Sequence, residues 1–315
     1  MRPVIAGLTL SWLISVVISA AVGAAVTPPL KPQRVAPGVY ALIGAQEEIS
    51  PANLGNISNS GFIIGSSGVI VVDTGANHAQ GERILAAIRS RTAKRVVLAI
   101  NTHPHPENVL GNSAFADRGI PLLAHSGTLQ AMRQRCELCY QNSVRVLGDP
   151  IMSGTRIVIP GQSVGGSTQL TIGGRRLGLL HFGWGHTEGD LAVLDHATGT
   201  LFSGGLVSLD RIPDLGQAKI RGWIAALEQL QKPPVAILVP GHGPVSAPLR
   251  MRDTLGYLKD LLAQVEKRYG EGMSLLEVRN QAGLPAYGNW SLYQHTHPQN
   301  LQHVYIELEQ EDLAK

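Results

Sequence analysis

Short apolar runs and longer amphipathic stretches take turns along this chain from residue 38 onward. Compact runs rich in Val, Ile and Leu suit strands, and apolar residues returning every three or four positions suit helices. On that basis residues 38–42 form a strand, and 61–64 and 69–72 form a hairpin about Ser66-Ser67-Gly68. Residues 78–91 form a helix, and 95–100 (RVVLAI) a buried strand. A strand at 120–124 and a helix at 126–145 follow. Strands at 156–159, 169–172 and 176–180 come in quick succession, with Gly173-Gly174 as a hairpin turn. A second hairpin joins 191–194 to 200–202. The pattern closes with a helix at 220–230, a strand at 236–239, a helix at 254–269, and helical stretches at 275–281 and 301–311. Strands and helices are thus interleaved, an α/β (α+β) pattern that two sheets packed between helix layers would satisfy.

Composition narrows the class. Of 315 residues, 44% are hydrophobic and 16% charged, which excludes a disordered chain. A net charge of +3 with no basic stripe excludes nucleic acid as a partner, since Arg175 and Arg176 stand alone. Eleven histidines against two cysteines favour nitrogen and oxygen ligands in any metal site. The start reads as a secretory signal over residues 1–26: Met1-Arg2-Pro3 is followed by an apolar stretch, the small residues Gly23-Ala24-Ala25, and then Pro28-Pro29. An uncleaved anchor is the competing reading. Either way, residues 27–315 are expected to be one domain outside the cytoplasm, periplasmic or secreted, with no membrane segment after Val26. Cys136 and Cys139 lie one turn apart on an expected helix and read as a structural or redox-idle pair.

The densest chemistry is Thr102-His103-Pro104-His105-Pro106-Glu107-Asn108, directly after a buried strand. In extended chain, residues two apart point to one side, so His103 and His105 can aim at one point. Pro104 and Pro106 stiffen the segment. Gly185-His186-Thr187 and Pro240-Gly241-His242-Gly243 each place a histidine among glycines at a strand end. Asp73 and Asp190 read as partners that orient ligand loops, or as ordinary turn residues. Trp184 and Tyr287 read as core packing, with lining of a substrate pocket as the alternative; His78, His125 and His196 read as surface or turn residues and His181 as structural, while His295, His297 and His303 are placed to reach a cleft rim.

The order of Asp73-Thr74-Gly75, the His103 segment, Gly185-His186-Thr187, Leu201-Phe202-Ser203-Gly204-Gly205 and Pro240-Gly241-His242-Gly243 resembles the metallo-β-lactamase superfamily. Length, Cys136-x-x-Cys139 and the tail near His297, Asn300 and Tyr305 look similar to periplasmic zinc metallohydrolases of quinoprotein (PQQ) dehydrogenase systems. The resemblance implies a four-layer αββα sandwich. It implies a first metal on His103, His105 and His186, and a second on the residues at 107, 108 and 242 with a bridging residue at 205. Here Glu107 stands for Asp, Asn108 for His, and Gly205 for Asp or Cys, so only His242 keeps its identity. One zinc is therefore expected, with a second site weak or empty. Asp, His and Asp at 107, 108 and 205 would then be expected to restore a second ion.

The expected function is an exported hydrolase of a small-molecule ester, thioester, lactone or β-lactam. In it Glu107 handles the proton of the attacking water and His242 donates a hydrogen bond to the oxyanion. The alternative is a non-catalytic or weakly active binding protein serving a quinoprotein dehydrogenase system. Oxygen chemistry at paired irons is disfavoured because Gly205 offers no bridging carboxylate.

Overall fold

The apolar runs pair into two sheets. The structure, a computed structural model, describes residues 28–314, so the expected signal at 1–26 lies outside the described residues. The first sheet holds β1 (Gln33–Ala36), β2 (Val39–Leu42), β3 (Ser60–Ile64), β4 (Val69–Val72), β5 (Val96–Ile100), β6 (Leu122–His125) and β7 (Gln162–Val164), adjacent in that order. The second holds β8 (Thr168–Ile172), β9 (Arg175–Leu180), β10 (Ala192–Asp195), β11 (Thr200–Phe202) and β12 (Ile237–Val239), again in sequence order. Pairs β4–β5, β5–β6, β6–β7 and β11–β12 are parallel. Gly173 (φ 62°) and Gly174 (φ 81°) turn β8 into β9 through the left-handed region, where a side chain is strained.

The helices are α1 (His78–Arg89), α2 (Pro106–Val109), α3 (Asn112–Ala116), α4 (Ser126–Leu147), α5 (Asp149–Met152), α6 (Ile220–Leu230), α7 (Met251–Gly270), α8 (Leu275–Gln281) and α9 (Tyr293–Leu313). Side-chain alternation along the strands builds the layers. In β4, Ile70 and Val72 meet Leu177, Leu179 and Val193 of the other sheet, while Val69 and Val71 meet Ile84 and Ile88 of α1. Leu194, Leu201 and Leu238 pack outward against α6, α7 and α9 through Trp223, Leu258 and Val304. The result is the four-layer αββα sandwich. Trp223 is fully buried and donates its ring N–H to the Leu206 carbonyl (3.0 Å). Trp223→Ala is expected to cost about 3–5 kcal/mol in denaturant unfolding.

Three expectations need correction. Residues 156–159 are irregular, not a strand: Ile157 and Ile159 pack on the α4 cluster, and Gln162–Val164 takes the β6 edge instead. Strand β1 was not expected; only pairing with β2 makes its mixed residues extended. Helix α9 starts eight residues before the expected 301 and runs through Pro298. A ring pair within the helix and a bond from α7 hold that first segment. Tyr293 stacks on His297 (4.7 Å between rings), and His297 Nδ1 meets the Tyr257 hydroxyl at 3.0 Å. Among the described residues no helix is long and apolar enough to cross a membrane.

Candidate metal centre

Two chain segments far apart in sequence, one carrying His103 and His105 and the other His186, bring three histidines together. His103 follows β5, His105 precedes α2, and His186 lies in the turn before β10. One ligand nitrogen from each lies within 4.8 Å of the others. His105 Nδ1 and His186 Nε2 are 3.3 Å apart, and His103 Nε2 is buried without any hydrogen-bond partner. A proton on one ring can satisfy one pair of nitrogens. A cation satisfies all three, so this donor set fits a metal ion. Burial first, then the neighbouring histidines, hold His103 and His186 well below the ordinary imidazole range, which leaves their lone pairs free.

The surrounding residues fix ring orientation. Asp73 accepts from the Thr102 backbone N–H (2.8 Å) and the Thr102 hydroxyl (2.8 Å). With its proton committed to Asp73, the Thr102 hydroxyl accepts from His103 Nδ1 (2.8 Å), which turns the His103 Nε2 lone pair inward. Burial pushes the Asp73 carboxyl up to about 7, against the pull of the Thr102 donors. Asp73 sits at φ 61°, a left-handed position that Asp tolerates better than most residues. Asp190 accepts from the Thr187 N–H (2.9 Å) and hydroxyl (2.7 Å), closing the turn that carries His186. Trp223 packs 4.8 Å from the His186 ring. Thr102→Val should lower zinc affinity about 10–100-fold in a competition titration, because His103 loses its orienting acceptor.

The second-site residues have other work. Glu107 Oε1 lies 3.5 Å from His105 Nδ1, toward the first site. Burial raises the Glu107 carboxyl, but its bond to His105 and the nearby imidazoles outweigh this and hold it well below the usual range. Asn108 is fully buried and donates to Ser58 Oγ (3.0 Å), which donates to the Gly241 carbonyl (3.1 Å). It therefore laces the His242 turn to the chain before β3. A Cβ at Gly205 would sit 2.2 Å from His186 Cδ2 and 3.1 Å from His103 Nε2. The expectation that Asp at 205 would help restore a second ion is corrected: the first-site rings fill the space.

His242 also departs from expectation. Its Nδ1 lies 2.8 Å from the Ile57 carbonyl, which can only accept, so the proton sits on Nδ1. Burial and then Arg211 push its pKa down to about 3, so a second proton does not bind near neutrality. The other nitrogen, Nε2, thus carries a lone pair and cannot donate to an oxyanion. The expected donor role of His242 is overturned by its tautomer.

Beside the histidines is a cavity of about 270 Å³. Its walls include Glu107, Gly205, Arg211, Trp223, His242 and, from α9, His295. Of the expected rim histidines, only His295 is there. His297 is buried against Tyr257, and His303 meets the Ala218 carbonyl (3.0 Å). Neither Trp184 nor Tyr287 lines the cavity: Trp184 is 43% exposed, and Tyr287 packs on Trp290. His125 is not a surface residue. It is 6% exposed and stacked 3.8 Å from His181. Cys136 is buried on α4 with its thiol pushed up to about 12, chiefly by burial. Sequence reasoning missed Arg211, whose only signal was a cation in a loop flanked by Asp210 and Pro213.

Comparison with known proteins agrees with this geometry. The family model of the metallo-beta-lactamase superfamily matches residues 54–242. The metallo-beta-lactamase type 2 of Bacillus cereus is 29% identical over 210 residues, covering 64% of this chain and 74% of that protein. Metallo-beta-lactamase IND-1 of Chryseobacterium indologenes is 23% identical over 190 residues, 59% of this chain and 71% of that protein. In fold, the metallo-beta-lactamase from Pontibacter korlensis superposes with a TM-score of 0.59 at 22% identity, over 73% of this chain and 99% of that one. With more than half of its length matched by the family model, the chain belongs to the metallo-beta-lactamase superfamily.

Proposed function

We propose that this chain is an exported zinc-dependent hydrolase that works with one ion, held by His103, His105 and His186. The observation that carries this is the buried trio of ring nitrogens within 4.8 Å, one of them without a partner. Zinc held by three imidazoles supplies Lewis acidity and lowers the pKa of water to about 7. Glu107, ionised and beside His105, is placed to orient that water and take its proton. His242 contributes an accepting nitrogen, and Trp223 backs His186 with apolar surface. A second ion would find one carboxylate and one imidazole, since Asn108 is committed to Ser58 and Gly205 has no room for a side chain.

The substrate is a small acyl compound, an ester, thioester, lactone or β-lactam. The lactam belongs in the set because the relatives are metallo-beta-lactamases. Residues 1–26 act as the removable export signal in this reading. Metal analysis of zinc-loaded mature protein should give about one equivalent, as three imidazoles and a water would hold. A substrate panel should then show turnover that a chelator removes. Failure to retain zinc would sink the proposal. Retained zinc with no turnover across the panel would favour a ligand-holding protein serving a quinoprotein dehydrogenase system.

A further inference from the structure

Strands β4 and β5 are parallel, so α1 carries the chain back from the end of the sheet that bears His103 to the opposite end. Two hollows flank the last turns of α1 there. One, of about 580 Å³, sets the exposed Arg89, Lys94, Arg95 and Arg118 around the apolar Leu85 and Ile88. The other, of about 590 Å³, lies between α1 and the first described residues, and joins Leu30, Ala86 and Ala87 to Lys31, Arg83 and Arg91. No Asp or Glu lines either hollow among the described residues. The neighbouring acids are committed, Glu82 to Arg118 and Asp117 to Arg156. Lys94 donates to the Gly65 carbonyl (2.6 Å), and Arg91 lies over the Tyr40 ring (5.9 Å). Among the described residues, Arg89 and Arg95 make no side-chain hydrogen bond or ion pair, and the buried Nε of Arg83 has no partner.

Arg89 alone would complement the negative end of α1. The cluster goes well past that need. Like charges held together repel, a cost that an anionic surface facing them would offset. Cations around apolar hollows match the boundary of a bilayer, where phosphates lie next to apolar groups. The layout of the chain favours a bilayer over an acidic protein. The described chain begins at residue 28, and Pro29 and Leu30 already form a wall of the second hollow. Just before them in sequence comes the apolar stretch 4–22. A chain brought to a membrane by that stretch arrives with this face toward it.

We propose that the end of α1 and the start of β5 form a docking surface for an anionic phospholipid bilayer, with Arg89, Lys94 and Arg95 against the phosphates and the metal cavity turned away into water. The contact is one of charge at the surface: Leu85 and Ile88 are 7% and 2% exposed and do not insert. The surface shares no residue with the metal cavity, so the hydrolase reading and this one stand or fall separately.

The test is co-sedimentation of the mature protein with vesicles of phosphatidylcholine, alone or mixed with phosphatidylglycerol. Binding should require phosphatidylglycerol and should weaken as salt is raised, because screening shortens the reach of the charges. Both of these readouts need no variant. Arg89→Gln, Lys94→Gln and Arg95→Gln combined should weaken binding to the mixed vesicles about tenfold or more. Arg133→Gln, Arg145→Gln and Lys267→Gln combined remove the same net charge from residues that line neither hollow, and should leave binding as it was. Absence of binding to the mixed vesicles, indifference to phosphatidylglycerol, or equal loss in the two triple variants would each overturn the assignment. Capture by immobilised polyglutamate without binding to either vesicle would overturn it in favour of an acidic protein partner.

Discussion

His103→Ala is expected to abolish stabilisation by zinc and to lower hydrolysis by roughly a thousandfold or more, because the metal-generated nucleophile is lost. The reasoning starts from the unpartnered Nε2 of His103, which is buried at 1% exposure. In the metal-free fold this nitrogen contributes no hydrogen bond, and its desolvation is a cost. Deleting the ring also removes the Nδ1 contact with Thr102 (2.8 Å) and its packing on His105, so each protein is compared with its own zinc-free form. What disappears is one of three ligands. A ligand present at about 100 times its Kd stabilises the native state by about 2.7 kcal/mol, and that increment should vanish. The measurement is Tm with and without zinc for both proteins. A zinc-induced rise in Tm that survives in His103→Ala would show that the ion sits elsewhere.

Gly205→Asp is expected to weaken the first site rather than build a second. An added Cβ meets His186 Cδ2 at 2.2 Å and His186 Nε2 at 2.8 Å, well inside van der Waals contact. The ring has nowhere to retreat, since Trp223 packs behind it at 4.8 Å. The strain of such overpacking costs roughly 1–3 kcal/mol of stability. Displacing a ligand ring should lower zinc affinity by about 10–100-fold, the range seen when the residues that orient a ligand are disturbed. Gly205→Ala should behave alike, because the conflict begins at Cβ and not at the carboxylate. Chemical unfolding and a zinc competition titration check both effects. A gain of a second zinc equivalent in Gly205→Asp would refute the steric argument.

The residues differ in how far their roles could be read from the chain alone. His103 and His105 are separated by one proline after an apolar strand, and that local spacing was enough to aim them together. The sheet strands were legible where apolar runs were long, as at β5, and illegible at β1, whose extended form depends on a partner strand. Asn108 reads in sequence as a lost ligand; in space it is a tie to Ser58 at 3.0 Å. Gly205 reads as a missing carboxylate, and in space it is the clearance that two imidazoles need.

The layered α/β architecture, the three histidines and the family were all legible along the chain, because strand periodicity and motif order are local properties. What the pocket can do was settled by packing between distant segments. His186 meets His105 across 81 positions and Arg211 meets His242 across 31, and no local pattern encodes such convergence. The His242 tautomer follows from a carbonyl 185 positions away. The physical reason is that protonation and charge depend on what is packed nearby, and packing is settled when distant segments close on one another.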